Sequence, residues 1–231
     1  RTLNMGPLIT VITATTGNYA RAQWSVVNQT YNNIQHIIVA DGVDIQANPT
    51  ADFIQLPYNT GANGYNGHRI YAAATFLARG EYICYLDEDN TFELDHIQTM
   101  VAQLDTTTQW TYCLRNIIHN GEFVCADNCE SLGAHTNILG EQFCDVGTWM
   151  IRADVARQLA PLWYRRARTD TPEVDRIITS TLFKHYPNYK ATGKYTLNYN
   201  TGNTTNSVKP EFFTNNNQIT QDFYGEQYPW I

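Results

Sequence analysis

The chain has 231 residues, of which 43% are hydrophobic and 16% are charged. This length suits one large domain, and the apolar content is enough for a packed core, which excludes a chain that is disordered throughout. The 15 lysines and arginines stand against 22 aspartates and glutamates, which gives a formal net charge of -7. A surface of that sign repels nucleic-acid phosphates, so no nucleic-acid partner is expected. No uncharged run approaches the roughly 20 residues of a membrane-spanning helix, so no span is expected.

The five cysteines are scattered along the chain. An odd number without regular spacing is a poor disulfide framework, which favours a reducing compartment and predicts a cytoplasmic protein. Cys125 and Cys129 lie close together in CADNC, but the spacing matches no usual zinc pattern, so ordinary thiols are expected. The first ten residues lack the charged, apolar and small-residue order of a signal peptide, so none is expected.

The first half of the chain alternates short apolar runs with helical patterns. Apolar, β-branched runs bounded by turn residues predict strands at residues 8–13, 34–39, 53–56 and 82–86. Apolar residues at helical spacing predict helices at residues 18–29, 67–78 and 94–104. Strands and helices that alternate in this way indicate βαβ crossovers and a parallel sheet.

Polar residues follow three of these strands at the point where each strand ends. They occupy residues 13–18, 41–44 and 87–90. In parallel sheets, ligands bind beyond the carboxyl ends of the strands. We therefore expect the three segments to converge on one crevice.

The second half is less regular. Its patterns predict strands at residues 110–114, 122–125, 147–152 and 194–199, helices at 154–159 and 172–183, and a polar loop at 128–145. From residue 200 onward the chain is rich in asparagine, threonine and aromatic residues but has little periodicity. This composition predicts either a mobile lid or an arm that packs through its aromatic side chains, which are Phe212, Phe213, Tyr224 and Trp230.

Asp87, Glu88 and Asp89 form the sharpest chemical signal. Three carboxylates directly after an apolar strand repel one another, and a hard divalent cation, which prefers oxygen ligands, removes that cost. Mg²⁺ or Mn²⁺ held there would bridge to a diphosphate and stabilise it as a leaving group. The alternative is a solvated acidic turn whose charge stabilises the helix that follows. The position beside two other polar strand ends favours the metal site.

Asp41 and Arg69 are weaker candidates for ligand contacts. Asp41 follows an apolar strand and has the chemistry to accept hydrogen bonds from a base imide or a ribose hydroxyl, although an Asp before Gly is also common in turns. Arg69 lies at the start of a helix, where a phosphate would meet backbone N–H groups, although an ordinary surface arginine explains it equally well. The glycine-rich stretch before Arg69 matches neither a P-loop nor a dinucleotide-binding fingerprint.

The order of these motifs resembles the family-2-like nucleotide-sugar glycosyltransferases of the GT-A fold. The opening LITVITATTGNYARAQWSVVNQTYNNIQHIIVADG is similar to that family's first strand, helix and second strand, and NTGANGYNGHRIYAAATFLARGEYICYLDEDN to the helix that leads to its D-x-D motif. DVGTWMIRADV, TPEVDRIITSTL and KYTLNYNTGNTTNSV match its later blocks, so the resemblance covers roughly residues 8–207. It implies a Rossmann-like mixed, mostly parallel sheet flanked by helices.

The resemblance also implies a domain organisation. Residues 1–207 would form the GT-A domain, with a nucleotide-binding half at about 8–105 and an acceptor half at about 106–207, while residues 208–231 would form a C-terminal arm or lid.

Individual roles follow from the positions that match the family's motifs. The residues that the resemblance assigns to donor binding are Thr13, Ala14, Thr15, Asp41, Arg69, Asp87 and Glu88. Asp89 would ligate Mn²⁺ or Mg²⁺ directly, with Asp87 in the metal shell. Glu173 is the best match for the base that takes the acceptor proton, and Asp145 and Asp170 are its alternatives. Where many members carry a metal-binding histidine after the last strand, this chain has residues 200–203, which read NTGN.

The implied activity is metal-dependent transfer of a hexose from a nucleoside diphosphate sugar, with UDP as the default, to a hydroxyl of a glycan or other acceptor. Inversion at the anomeric carbon is expected, and Trp149 is a weak candidate for stacking on a sugar face. Two other classes are also compatible with the sequence: a sugar nucleotidyltransferase, and a non-catalytic carbohydrate-binding domain of the same fold.

Overall fold

The computed structural model describes residues 6–47, 49–164, 174–202, 207–225 and 227–231. The strands are β1 Ile9–Thr15, β2 Ile34–Asp41, β3 Asp52–Leu56, β4 Tyr82–Tyr85, β5 Thr91–Phe92, β6 Trp110–His119, β7 Glu122–Ala126, β8 Gly133–Thr136, β9 Gln142–Phe143, β10 Trp149–Arg152 and β11 Tyr189–Thr201. The helices are α1 Ala20–Val27, α2 His68–Thr75, α3 His96–Val101, α4 Ala153–Leu159, α5 Val174–His185 and α6 Pro210–Tyr224.

Within the described residues, nine strands form one mixed sheet in the order β3-β2-β1-β4-β10-β6-β11-β5, with β7 paired to β6. The pairs among β3, β2, β1 and β4 are parallel, and so is the pair of β6 with β11. Strand β10 is antiparallel to both of its neighbours, and β5 and β7 are antiparallel to theirs. The mixed, mostly parallel sheet of the GT-A expectation is therefore confirmed.

Helices cover both faces of the sheet because successive strand residues point to opposite sides. Ile12 and Ile83 pack on one face, in a cluster that contains buried residues of α2, α4 and α5. Val11 and Cys84, their chain neighbours, pack on the other face with residues of α1 and α3. Both faces of β1 and β4 are thus buried, which explains why these strands appear in the sequence as continuous apolar runs.

Three features of the chain were not predicted. The segment at residues 128–145 contains the short β8–β9 pair. Strand β5 has two residues, too few for a detectable pattern. The C-terminal segment contains the 15-residue helix α6, which buries Phe213 and Thr220. Phe213 and Trp230 are both buried, as an arm that packs through aromatic side chains requires. The division of the chain at residue 208 stays a prediction.

Among the described residues, no helix combines the length and apolar character needed to cross a membrane.

Candidate active site

A cavity of about 560 Å³ opens at the carboxyl ends of β1, β2 and β4. All three polar segments predicted to converge contribute to its walls, so the expected crevice is confirmed. The second half of the chain closes the other side through Asp145, Asp175, Tyr199 and Asn200. The acidic residues on the described walls are Asp41, Asp87, Glu88, Asp89, Asp145 and Asp175. No lysine or arginine lies on the described part of the walls, so that part of the cavity is strongly negative.

Asp87 follows the end of β4 and lines the cavity near other acidic side chains. Burial raises the pKa of its carboxyl to about 7, and the charges of Asp89, Asp145 and Asp175 act in the same direction. The hydroxyl of Tyr71 donates a hydrogen bond of 2.5 Å to Asp87 Oδ1 and lowers that pKa in part. A cation near Asp87 would offset this repulsion directly.

Glu88 holds the loop between β1 and α1. Its carboxylate accepts hydrogen bonds from the Thr15 hydroxyl at 2.5 Å, the Thr16 hydroxyl at 2.7 Å, and the backbone N–H groups of Thr16 at 3.1 Å and Asn18 at 3.0 Å. Burial alone would raise the pKa of Glu88, but these hydrogen bonds lower it below its usual value. The side chain predicted to contact the donor therefore also fixes the loop that forms one wall of the cavity.

Asp89 and Asn90 are tied to β11 through Asn200. The Asn200 side-chain amide donates to the Asp89 carbonyl oxygen at 2.6 Å, and the Asn200 N–H donates to Asn90 Oδ1 at 2.9 Å. The amide at residue 200 therefore links the last strand of the sheet to the acidic turn. It does so at the chain position where the family resemblance led us to look for a histidine.

Asp41 holds a second loop against the cavity. Its Oδ1 accepts from the N–H of Thr60 at 2.7 Å and from the hydroxyl of Thr60 at 2.9 Å, while its Oδ2 accepts from the N–H of Gly61 at 2.9 Å. Gly42 makes this approach possible, because it has φ +74 and a Cβ there would lie 2.2 Å from the N of Asn59. Asp41 lines the cavity, and its contact with a base stays a prediction.

Asp145 belongs to a buried ion network centred on Arg115 of β6. The Arg115 guanidinium donates to Asp127 at 2.8 Å, Asp145 at 2.6 Å and Glu130 at 2.5 Å, and its side chain is 2% exposed. Burial alone would lower the pKa of Arg115, but the three carboxylates raise it well above its usual value. Asp145 Oδ1 also accepts from the N–H of Gly147 at 3.1 Å, so both of its oxygens are engaged.

Asp175 lies in the first turn of α5 and faces the same cavity. The next residue, Arg176, donates to Glu130 at 2.7 Å and also pairs with Glu141. Its guanidinium lies 4.3 Å from the centroid of the Phe143 ring. These contacts attach the start of α5 to the segment that carries Asp145.

Two predicted donor-binding residues lie behind the cavity wall. Thr13 is fully buried in β1, and its hydroxyl is 3.0 Å from Nε2 of His36 in the neighbouring strand β2. The Arg69 guanidinium lies 3.5 Å from the centroid of the Tyr65 ring and 5.2 Å from that of the Tyr164 ring, and its Nη1 donates to the Thr60 carbonyl oxygen at 3.2 Å. Neither is among the described lining residues, although both were expected to contact the donor.

Trp149 is also misplaced by the sequence prediction. Its side chain is fully buried in the core, so it offers no face for a sugar. Trp163, 6.0 Å away between ring centroids, lines the cavity but is itself only 2% exposed.

The remaining predicted residues divide into two groups. Ala14, Thr15 and the acidic turn line the cavity, as expected. Glu173 and Asp170 lie outside the described residues. The lining residues that sequence reasoning missed include Tyr71 and Asp175. Asp175 had a detectable signal, because it lies two positions after Glu173 in a predicted first helical turn, whereas the contact of Tyr71 with Asp87 has none.

The oxygen-rich walls suit a hard divalent cation such as Mg²⁺ or Mn²⁺. In the described part of the chain, however, no three His, Cys, Asp or Glu side chains are grouped closely enough to hold a metal by themselves. A cation here would therefore take part of its shell from a ligand or water, which is usual for Mg²⁺.

The model of the family described as "Glycosyl transferase family 2" matches residues 18–159, which is more than half of the chain. The chain therefore belongs to this family, and it is a glycosyltransferase. No curated protein sequence matches it closely enough to count as a relative.

Solved structures of TarS from S. aureus share the fold. The TarS 1-349 complex with UDP-GlcNAc has a TM-score of 0.63 at 14% identity, over 95% of this chain and 68% of TarS 1-349. The complex with UDP has a TM-score of 0.60 at 15% identity, over 95% and 67%. A longer TarS structure has a TM-score of 0.58 at 14% identity, and the match covers 95% of this chain but 40% of that one. At these identities the likeness shows the GT-A fold.

Proposed function

We propose that this glycosyltransferase moves a hexose from a UDP-sugar to a hydroxyl of a glycan or other acceptor, with inversion at the anomeric carbon. The observation that carries the proposal is the acidic cavity at the ends of β1, β2 and β4, whose volume of about 560 Å³ suits a ligand of nucleotide-sugar size. The similarity of fold to TarS in complex with UDP-GlcNAc and with UDP supports the choice of nucleotide.

The proposed donor site uses the residues that line the cavity. Ala14 and Thr15 form the wall at the end of β1, and Asp41 contacts the base from the end of β2. Thr13 and Arg69 support these walls indirectly, the first as the chain neighbour of Ala14 and the second through its hydrogen bond to Thr60, whose N–H and hydroxyl both donate to Asp41.

We assign Asp89 and Asp87 as the side chains that would hold Mn²⁺ or Mg²⁺. The support is electrostatic, because a diphosphate brings further negative charge to walls that carry six acidic residues and, where described, no lysine or arginine. When bound, the cation would stabilise the negative charge that develops on the departing nucleoside diphosphate.

An acid at the start of α5 would act as the base. The acceptor oxygen forms a bond to the anomeric carbon, the bond from that carbon to the diphosphate oxygen breaks, and the acid takes the hydroxyl proton. Asp175 is the described residue that we assign to this role, because it lies in the first turn of α5 and lines the cavity. Glu173 stays the competing candidate.

Membership of a glycosyltransferase family favours transfer over the two other classes, a sugar nucleotidyltransferase and a carbohydrate-binding domain. The five cysteines are all unpaired, and four of them are buried. Unpaired thiols support the further proposal that the protein works in the reducing environment of the cytoplasm.

The test is calorimetric titration of UDP-, GDP- and dTDP-sugars with and without Mn²⁺, combined with an assay for nucleotide release in the absence of acceptor. We expect UDP-GlcNAc to bind in the presence of Mn²⁺ and to be hydrolysed slowly. Asp89→Asn is expected to weaken Mn²⁺-dependent binding by roughly tenfold or more, because a ligand charge is lost. The matched control is Asp95→Asn, which changes an exposed acid at the start of α3.

Three results would contradict the proposal. Binding without hydrolysis would indicate a carbohydrate-binding module. A requirement for a sugar phosphate and a nucleoside triphosphate would indicate a nucleotidyltransferase. Unchanged Mn²⁺-dependent binding in Asp89→Asn would remove the metal assignment.

A further inference from the structure

Tyr71 places a buried hydroxyl next to an acidic side chain of the cavity wall. The residue lies on α2, is 2% exposed and lines the cavity. Its hydroxyl donates to Asp87 Oδ1 at 2.5 Å. Among the residues that the structure describes, it is the one side chain that donates a hydrogen bond to the carboxylate of Asp87.

The ring of Tyr71 is fixed by two aromatic neighbours. Its centroid lies 5.2 Å from that of Tyr85 and 5.2 Å from that of Trp163, both in edge-on arrangements. Such contacts hold a ring in one orientation, and a tyrosine ring held in this way fixes the position of its hydroxyl. Packing against these rings therefore holds the Tyr71 hydroxyl in one position.

A carboxylate, in contrast, rotates easily about its last side-chain bond, because that torsion is broad and nearly two-fold. Asp87 sits among other carboxylates, which favour orientations that turn its oxygens away from them. A hydrogen-bond donor fixed at Oδ1 opposes this rotation and leaves Oδ2 of Asp87 for a ligand. Holding a ligating carboxylate by a hydrogen bond from behind is a common way to preserve ligand geometry.

We propose that Tyr71 is a positioning residue that orients Asp87 for the cation and diphosphate. The inference rests on the proposed function, because it assumes that Asp87 faces a metal–nucleotide ligand. It adds a residue from α2, 16 positions before Asp87 in the sequence, to the machinery of the site.

The chain offers a matched pair of variants for the test. Tyr71→Phe removes the hydroxyl that reaches Asp87. Tyr85→Phe removes a hydroxyl that is equally buried and lies 2.8 Å from Thr75 Oγ1. The two tyrosines touch each other, and the variants lose the same atom, so a general effect of removing a buried hydroxyl is common to both.

The measurements are the dissociation constant of UDP at saturating Mn²⁺, the same constant with EDTA, and the melting temperature of each ligand-free variant. Tyr71→Phe is expected to weaken Mn²⁺-dependent UDP binding by roughly tenfold, as expected for the loss of one hydrogen bond to a charged group, and to have little effect with EDTA. Tyr85→Phe is expected to match the wild type in both titrations, whatever its melting temperature.

Two results would overturn the inference. Tyr71→Phe could bind UDP as tightly as the wild type with Mn²⁺, or both variants could lose affinity equally, which would indicate a structural effect. A wild type that binds no UDP with Mn²⁺ would instead refute the proposed function itself, so the two failures are distinguishable.

Discussion

Asp87 and Glu88 are adjacent carboxylates whose pKa values shift in opposite directions, and the difference comes from what each one contacts. Asp87 faces Asp89, Asp145 and Asp175 in a buried cavity, so burial and charge repulsion both raise its pKa. Glu88 turns toward the β1–α1 loop, where four hydrogen bonds from hydroxyl and N–H groups stabilise its charged form. Of these two neighbouring acids, Asp87 therefore faces the cavity and Glu88 holds the loop that forms one of its walls.

The choice of base can be tested at the level of single residues. Asp175→Asn is expected to lower the rate of sugar transfer by about 100-fold or more, since general-base catalysis contributes on that order, while binding of the UDP-sugar stays intact. The measurements are transfer kinetics and calorimetric affinity for the donor. Glu173→Gln and Asp145→Asn are the comparison variants, and the assignment fails if either of them, and not Asp175→Asn, shows this separation.

At the scale of the elements, Arg115 connects β6 to the segment between β7 and β10. The strand supplies a fully buried guanidinium, and the segment supplies Asp127, Glu130 and Asp145. Arg176 extends the network to α5 through Glu130. A segment with little secondary structure of its own is therefore fixed by charge pairing, and it positions the cavity wall at Asp145.

Arg115→Met is expected to lower the free energy of unfolding by about 3–5 kcal/mol, because the buried carboxylates lose their counter-charge. Urea unfolding followed by circular dichroism gives this quantity. The matched control is Arg152→Met, which breaks a pair with Asp154 whose side chains are 35% and 55% exposed and should cost about 1 kcal/mol or less. Equal losses in the two variants would show that the Arg115 network adds no more than a surface pair.

At the scale of the whole molecule, the parallel half of the sheet was predictable because β1, β2 and β4 are buried on both faces and stand out as apolar runs between turn residues. Helix α6 was missed for the opposite reason, since it buries only Phe213 and Thr220 and leaves no apolar stripe. The position of the cavity was predictable because ligands of parallel sheets bind beyond the carboxyl ends of the strands. The contact of Tyr71 with Asp87 and the burial of Trp149 depend on tertiary packing, which spacing along the chain does not encode.

The pH dependence of the stability of the fold should arise in part from two buried histidines, one in β2 and one in α3. Burial lowers the pKa of His36 to about 4 and that of His96 to about 3, from an ordinary value near 6.5. Below about pH 6.5 the unfolded chain therefore binds protons that the folded chain does not, so the free energy of unfolding falls as pH drops toward 4. Each histidine contributes a slope of about 1.4 kcal/mol per pH unit in this window, and none above it.

Urea unfolding of the wild type, His36→Gln and His96→Gln at a series of pH values between 4.5 and 8 tests this dependence. Other acids titrate in the same range, so the informative quantity is the difference in slope between variant and wild type. Each variant should lose the slope that a single histidine contributes. His185→Gln, a change at an exposed position, is expected to keep the wild-type slope. If both buried variants also keep it, these two histidines accept protons in the folded state, and acid sensitivity arises elsewhere in the molecule.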